Sequence, residues 1–265
     1  MGNVFEHAHR VLRATEPQEK CRLAFELSKD WETGILVYET NSLESVMNIT
    51  AAGRPERPVL TRPRGVARRS LHTSEGRKAF MHAIAHIEFN AINLACDAVH
   101  RFRGMPRDYY GDWIGVAADE ARHFTLLQDY LHKLGCRYGD FPAHGGLWDM
   151  AERTAHDVLA RMALVPRVLE ARGLDVTPAM IERLQAACDI EGAEILRIIY
   201  QEEIRHVAAG SRWFRYLCAQ RGLEPRATFR ELVERHFTGE LRGPFNMEAR
   251  IMAGFDAEEL EGFAG

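Results

Sequence analysis

One five-residue pattern occurs twice in this chain, as Asp119-Glu120-Ala121-Arg122-His123 and as Glu202-Glu203-Ile204-Arg205-His206. No other feature constrains the fold as much. Each copy holds a Glu-x-x-His step, and each follows a lone glutamate, Glu88 before the first and Glu170 before the second. Glu88 precedes Glu120 by 32 residues, and Glu170 precedes Glu203 by 33. Residues three apart are neighbours on a helix face, so each step presents a carboxylate and an imidazole together. Two such steps plus two further carboxylates make the ligand set for two adjacent metal ions inside a bundle of four helices.

The hydrophobic pattern supplies those helices. Two short helices are expected before residue 38, divided at Glu16-Pro17, where the proline suits a first helical turn. Helix A is expected from 74 to about 102, stopping at Gly104-Met105-Pro106, and helix B from about 108 to 134. After a Gly- and Pro-containing loop at 138–146, helix C is expected over 147–171 with Gly173 as its C-cap. Thr177-Pro178 then reads as the N-cap and first turn of helix D, which runs to about 220. One more short helix and the stretch Arg242-Gly243-Pro244-Phe245-Asn246 complete the chain. No alternating strand pattern of useful length appears, so the expected fold class is all-α.

The ligand candidates fall on apolar stripes. On helix B, Trp113, Val116, Glu120, His123, Leu127, Leu131 and Leu134 step by three or four. Helix D repeats this with Ile195, Ile199, Glu203, His206, Gly210, Trp213 and Leu217. Glu88 sits among Met81, Ile84, Ala91 and Ala95, and Glu170 follows Leu159, Ala163 and Pro166. A buried, unpaired carboxylate costs several kcal/mol or takes up a proton, and a pair of divalent cations removes that cost. Carboxylates with one histidine per ion suit iron or manganese better than structural zinc. The plainer alternative, exposed Glu and His on a solvated face, accounts for a single Glu-x-x-His step but poorly for two on matching stripes.

Other residues carry less. His82 and His86 lie around helix A from Glu88, as packed or surface histidines or as hydrogen-bonding supports for a ligand. Asp119 and Glu202 read as local ion-pair partners of Arg122 and Arg205. Pro166 is expected to kink helix C, and Gly210 to admit a close helix approach. His132, His144 and His156 show no usable pattern. Between 53 and 70, Pro55, Pro58 and Pro63 alternate with Arg54, Arg57, Arg62, Arg64, Arg68 and Arg69. This is an extended connector whose arginines either pair with acids on the protein or a partner subunit, or contact phosphates.

Bulk properties narrow the class. A net charge of −4 gives no global field for nucleic acid or an anionic membrane. No apolar run approaches a membrane span, and residues 1–10 lack a secretory pattern. The five cysteines form no Cys-x-x-Cys pair and read as buried or incidental thiols. A cytoplasmic protein is expected.

The order Glu88, Glu120-x-x-His123, Glu170, Glu203-x-x-His206 resembles the ferritin-like di-iron carboxylate superfamily. The stretches 82–92, 138–148 and 168–178 are also similar to a largely bacterial ferritin-like family of unknown function, over nearly the whole chain. The resemblance implies a four-helix bundle with helical extensions: an N-terminal wrapping over 1–52, the connector over 53–73, the bundle over 74–221 and a C-terminal extension over 222–265. It implies two iron ions, or manganese or a mixed pair, with Glu120 and Glu203 bridging. The leading expectation is an O2- or peroxide-dependent hydroxylase or oxidase, and the rivals are a metal-buffering protein, a site that only staples the bundle, or an RNA-modifying hydroxylase. Expected partners are a small-molecule substrate and O2, with an external electron donor and a second copy of the chain as further candidates; nucleic acid and membrane are not expected. The long extensions do not suit ferritin-type storage, and no rubredoxin-like Cys module is present.

Overall fold

A computed structural model of the protein describes residues 2–38, 49–61, 69–237, 239, 241 and 243–261. Arg62, Pro63, Arg64 and Arg68 of the connector and Arg242 of the tail lie outside the described residues. Apart from a two-residue parallel strand pair, β1 (Gly2–Asn3) with β2 (Leu36–Val37), and one isolated bridge, the described elements are helices. None of these helices is long and apolar enough to cross a membrane. The fold falls into two compact units, residues 1–152 and 153–265.

In the first unit, α1 (Val4–Arg13) and α2 (Pro17–Glu32) pack against a long helical pair, α3 (Ser74–Arg101) and α4 (Arg107–Lys133). The start of α3 is set by Thr73, whose hydroxyl accepts from Gly76 N–H at 3.0 Å. Between α3 and α4 the chain turns through Gly104 at φ +77°, a conformation that favours glycine. Tyr110 fastens that turn, donating to Phe102 O and accepting from Met105 N, each at 3.1 Å. Every residue of α3 from Ala91 to His100 is buried, so this helix forms the centre of the unit. Lys20 of α2 is also fully buried. Its ammonium donates to the carbonyls of Val11 and Leu12 at the end of α1 and to Asn93 Oδ1 on α3. Helix α5 (Gly146–Arg153) is the last element of this unit in sequence.

The second unit corrects the expected boundaries of helices C and D. Residues 147–171 do not form one helix: the chain breaks after α5, and Asp157 recaps α6 (Val158–Leu164) by accepting from Leu159 N–H. A π-helical segment, Val165–Glu170, follows and runs directly into α7 (Ala171–Ala186). Gly173 is therefore not a C-cap and Thr177-Pro178 not an N-cap, because Pro178 lies inside α7. A proline there leaves the carbonyl one turn back without its helical donor; Asn246 Nδ2 donates to that carbonyl, Leu174 O, at 3.2 Å. The real boundary lies at Cys188, with φ +57°, and Asp189, which caps α8 (Ile190–Arg221) through Gly192 N–H. Gly222 at φ +64° ends α8 as expected.

Beyond α8 the described residues form three short helices where one was expected: α9 (Pro225–His236), α10 (Met247–Met252) and α11 (Ala257–Glu261). They fasten the π segment and α7 through two buried arginines. Arg167 is stacked among Phe214, Phe229 and Phe255 and pairs with Glu259 at 2.6 Å, while Arg250 pairs with Asp175 at 2.7 Å. All five cysteines are free thiols, four of them buried and Cys188 exposed.

Candidate metal centre

Helices α3 and α4 bring Glu88, Glu120 and His123 together in the first unit. The three side chains are 5%, 1% and 0% exposed. Their ligand atoms lie within 4.8 Å of one another. His123 Nδ1 is 3.1 Å from Glu88 Oε2 and 3.3 Å from Glu120 Oε2. The i, i+3 step on α4 therefore does what its spacing implies, and α3 delivers the third group.

The electrostatics of this cluster favour a positive charge at its centre. Burial and the neighbouring Glu120 charge push the Glu88 carboxyl well above the usual carboxylate range. Burial alone lowers the His123 imidazole, but its hydrogen bonds to Glu120 and Glu88 more than reverse this and raise it to about 11. Both shifts have one origin, two carboxylates confined in a dry site, and both are met by binding protons. A divalent cation meets the same demand with the carboxylates ionised and the imidazole neutral, the forms in which these groups ligate.

In the second unit the matching step on α8 brings His206 Nδ1 within 3.2 Å of Glu203 Oε2. His206 is buried, but Glu203 is only half-buried, less enclosed than its apolar stripe suggests. Glu170 closes the π segment and is half-buried as well, with Oε2 fully enclosed. Gly173, one turn past Glu170, lies along Glu203: a Cβ there would stand 3.9 Å from Glu203 Cγ. Its sequence position three residues after a ligand candidate was the available signal. Pro166 and Gly210, singled out separately in the sequence, meet: a Cβ on Gly210 would fall 2.3 Å from both Cβ and Cγ of Pro166.

The remaining candidates take structural positions. Arg122 pairs with Asp119 at 3.4 Å and Arg205 with Glu202 at 3.6 Å, the local pairing the sequence suggested. His82 and His86 are both buried, and burial lowers each to about 4, so both are neutral at ordinary pH. His82 Nε2 accepts from Gly139 N–H at 2.8 Å, and His86 Nδ1 lies 2.8 Å from the Tyr138 hydroxyl. These partners are more than fifty residues away in sequence, so no local pattern announced them. His132, His144 and His156 are exposed, and Tyr200 accepts from Asn246 Nδ2 at 2.9 Å.

Residues 13–261 match the model of a family described as a protein of unknown function (DUF455). A Haemophilus influenzae protein described as uncharacterized is 43% identical over 265 residues, spanning 97% of this chain and 92% of its own length. No solved structure matches the chain.

Proposed function

As the chain belongs to the DUF455 family, whose function is not described, we infer its activity from its own side chains and propose a ferritin-like dinuclear metal oxidoreductase. In this reading Glu88, Glu120 and His123 hold one ion and Glu170, Glu203 and His206 the other. Iron is the leading occupant, with manganese or a mixed pair accepting the same donors. The observation that carries the reading is the buried Glu88–Glu120–His123 cluster, together with its partial copy at Glu203 and His206. An all-oxygen-and-nitrogen donor set with one imidazole per ion suits these metals.

When bound, the metals supply the redox chemistry for O2- or peroxide-dependent hydroxylation or oxidation of a small organic substrate. The chain's own contribution is ligation, proton balance and exclusion of water. The carboxylates and imidazoles ligate in their deprotonated forms, so loading releases whatever protons the cluster holds. Phe124 and Leu127 on α4 and Phe89 on α3 are buried beside the ligands in sequence and keep that part of the unit apolar.

The test is to load the protein with ferrous iron without air and then admit O2. Iron oxidation with O2 uptake that disappears in Glu120→Ala supports the reading. Rapid exchange of bound iron with no O2 uptake would replace it with metal buffering.

A further inference from the structure

The arginine-rich connector enters none of the chemistry above, yet part of it is built into the first unit. Gly53 N–H donates to Leu12 O at 2.7 Å, and a Cβ on Gly53 would collide with the carbonyls of Arg13 and Ala14, so the connector is pressed onto the end of α1. Four residues on, Arg57 packs against Gly139, whose φ of +106° is open to glycine and rare for other residues. Val59 O and Thr61 N–H then bond to the backbone of Ala143 at 3.1 and 2.7 Å. Residues 54–57, held in place by these contacts, line a cleft of about 680 Å³ together with the start of α2, the end of α4 and the loop at 137–138.

The charge lining this cleft has not been neutralised locally. Arg54, Arg57 and Arg137 line it together with Glu16, Glu56 and His132. Among the described residues no ion pair joins any of these arginines to a carboxylate. Arg54 donates to the carbonyl of Pro55. By contrast Arg22, Arg101, Arg221 and Arg226 are each paired with acids. The adjoining end of α2 has no side-chain cap and adds the partial positive charge of a helix N-terminus.

Tyr138 lines the same cleft and is held from behind by α3. Its hydroxyl lies 2.8 Å from His86 Nδ1, and the His86 ring is itself held by Asn90, whose Nδ2 donates to His86 O at 2.7 Å and lies 3.1 Å from His86 Nε2.

We propose that this cleft binds the phosphate group of a small phosphorylated, hydroxyl-bearing molecule. Arg54, Arg57 and Arg137 hold the phosphate oxygens, Tyr138 donates to one of them, and Glu16 and Glu56 accept from hydroxyl groups. Three guanidinium groups suit a multiply charged tetrahedral anion better than a single carboxylate. The volume lies in the range of small-ligand pockets, and the arginines are not interleaved with the stacking aromatics that single-stranded RNA uses. The site stands independently of the metal reading.

The experiment is calorimetric titration of the full chain with ribose 5-phosphate, with ribose and inorganic phosphate as comparisons. Saturable binding of ribose 5-phosphate in the sub-millimolar range is expected, with phosphate weaker and ribose undetected. Arg57→Gln/Arg137→Gln should weaken binding by at least about tenfold, and Tyr138→Phe by roughly threefold to tenfold, as loss of charged and neutral hydrogen bonds implies. Arg22→Gln, on an exposed ion-paired arginine, should leave it unchanged, as should His123→Ala, which lowers metal content. Unsaturable binding, equal affinity in the double variant, or an equal loss in Arg22→Gln would overturn the site. Loss in His123→Ala would place the phosphate on the metal instead. Binding of tRNA through these arginines without any binding of ribose 5-phosphate would overturn it in favour of RNA.

Discussion

Replacing Gly210 by alanine tests how the π segment that ends in Glu170 is held. Alanine in the middle of α8 should gain about 1 kcal/mol of helix propensity over glycine. Against that, the new Cβ would lie 2.3 Å from Cβ and Cγ of Pro166, where ordinary contact begins at 3.4 Å. Relief therefore requires about 1.1 Å of separation (3.4 − 2.3). The proline ring cannot rotate away, and the next residue, Arg167, is tied to Glu259 and three aromatic rings. Overpacking of a closed core costs about 1–3 kcal/mol, and the rigidity on both sides places this case at the upper end. The net expectation is a loss of about 2 kcal/mol, read as a Tm lower by roughly 4–8 °C in circular dichroism melts. Gly115→Ala in α4 is the matched control, because nothing lies within 4 Å of its Cβ; it should gain about 0.5–1 kcal/mol. A Gly210→Ala protein as stable as the wild type would refute the close contact between α8 and the π segment.

Two further outcomes follow from buried charges. Burial pulls the Lys20 ammonium from its ordinary 10.5 down to about 8. Between those values the unfolded chain binds more protons than the folded one, so stability rises with pH across this window by up to about 3 kcal/mol (2.5 units at 1.36 each). Urea titrations of wild type and Lys20→Met should show this rise in their difference, and parallel curves would contradict it. Arg167→Met should cost about 3–5 kcal/mol by leaving Glu259 buried without its cation, whereas Arg167→Met/Glu259→Leu should recover most of the loss. A double variant no more stable than the single would show that stacking, and not charge, dominates this site.

What the sequence made legible was local in character. The end of α3 and the start of α4 were readable because Gly104 and Pro106 mark them in place, and the cluster at Glu88, Glu120 and His123 was readable because the Glu120–His123 step matches helix geometry. The boundary between helices C and D was not. Thr177-Pro178 has the residues of a helix start, and what lets α7 run through it is Asn246, a donor about seventy residues away. The same holds for His82 and His86, whose partners lie in the loop at 138–139, and for the meeting of Pro166 with Gly210. Periodicity placed Glu170 and Glu203 in the core, but a stripe gives only a direction; how deeply each lies depends on neighbours that a stripe does not specify. The connector's arginines were expected mainly to pair with acids. Arg69 does so with Glu75, whereas Arg54 and Arg57 line an open cleft because Gly139 and Ala143 hold the backbone there.

The central claim is that the six side chains are metal ligands, and elemental analysis of protein purified without metal-affinity resin tests it most directly. About two iron or manganese ions per chain are expected, with both lost in Glu120→Ala/Glu203→Ala. Wild-type protein that emerges from iron-replete growth without metal, or a double variant that keeps its full complement, would contradict the assignment.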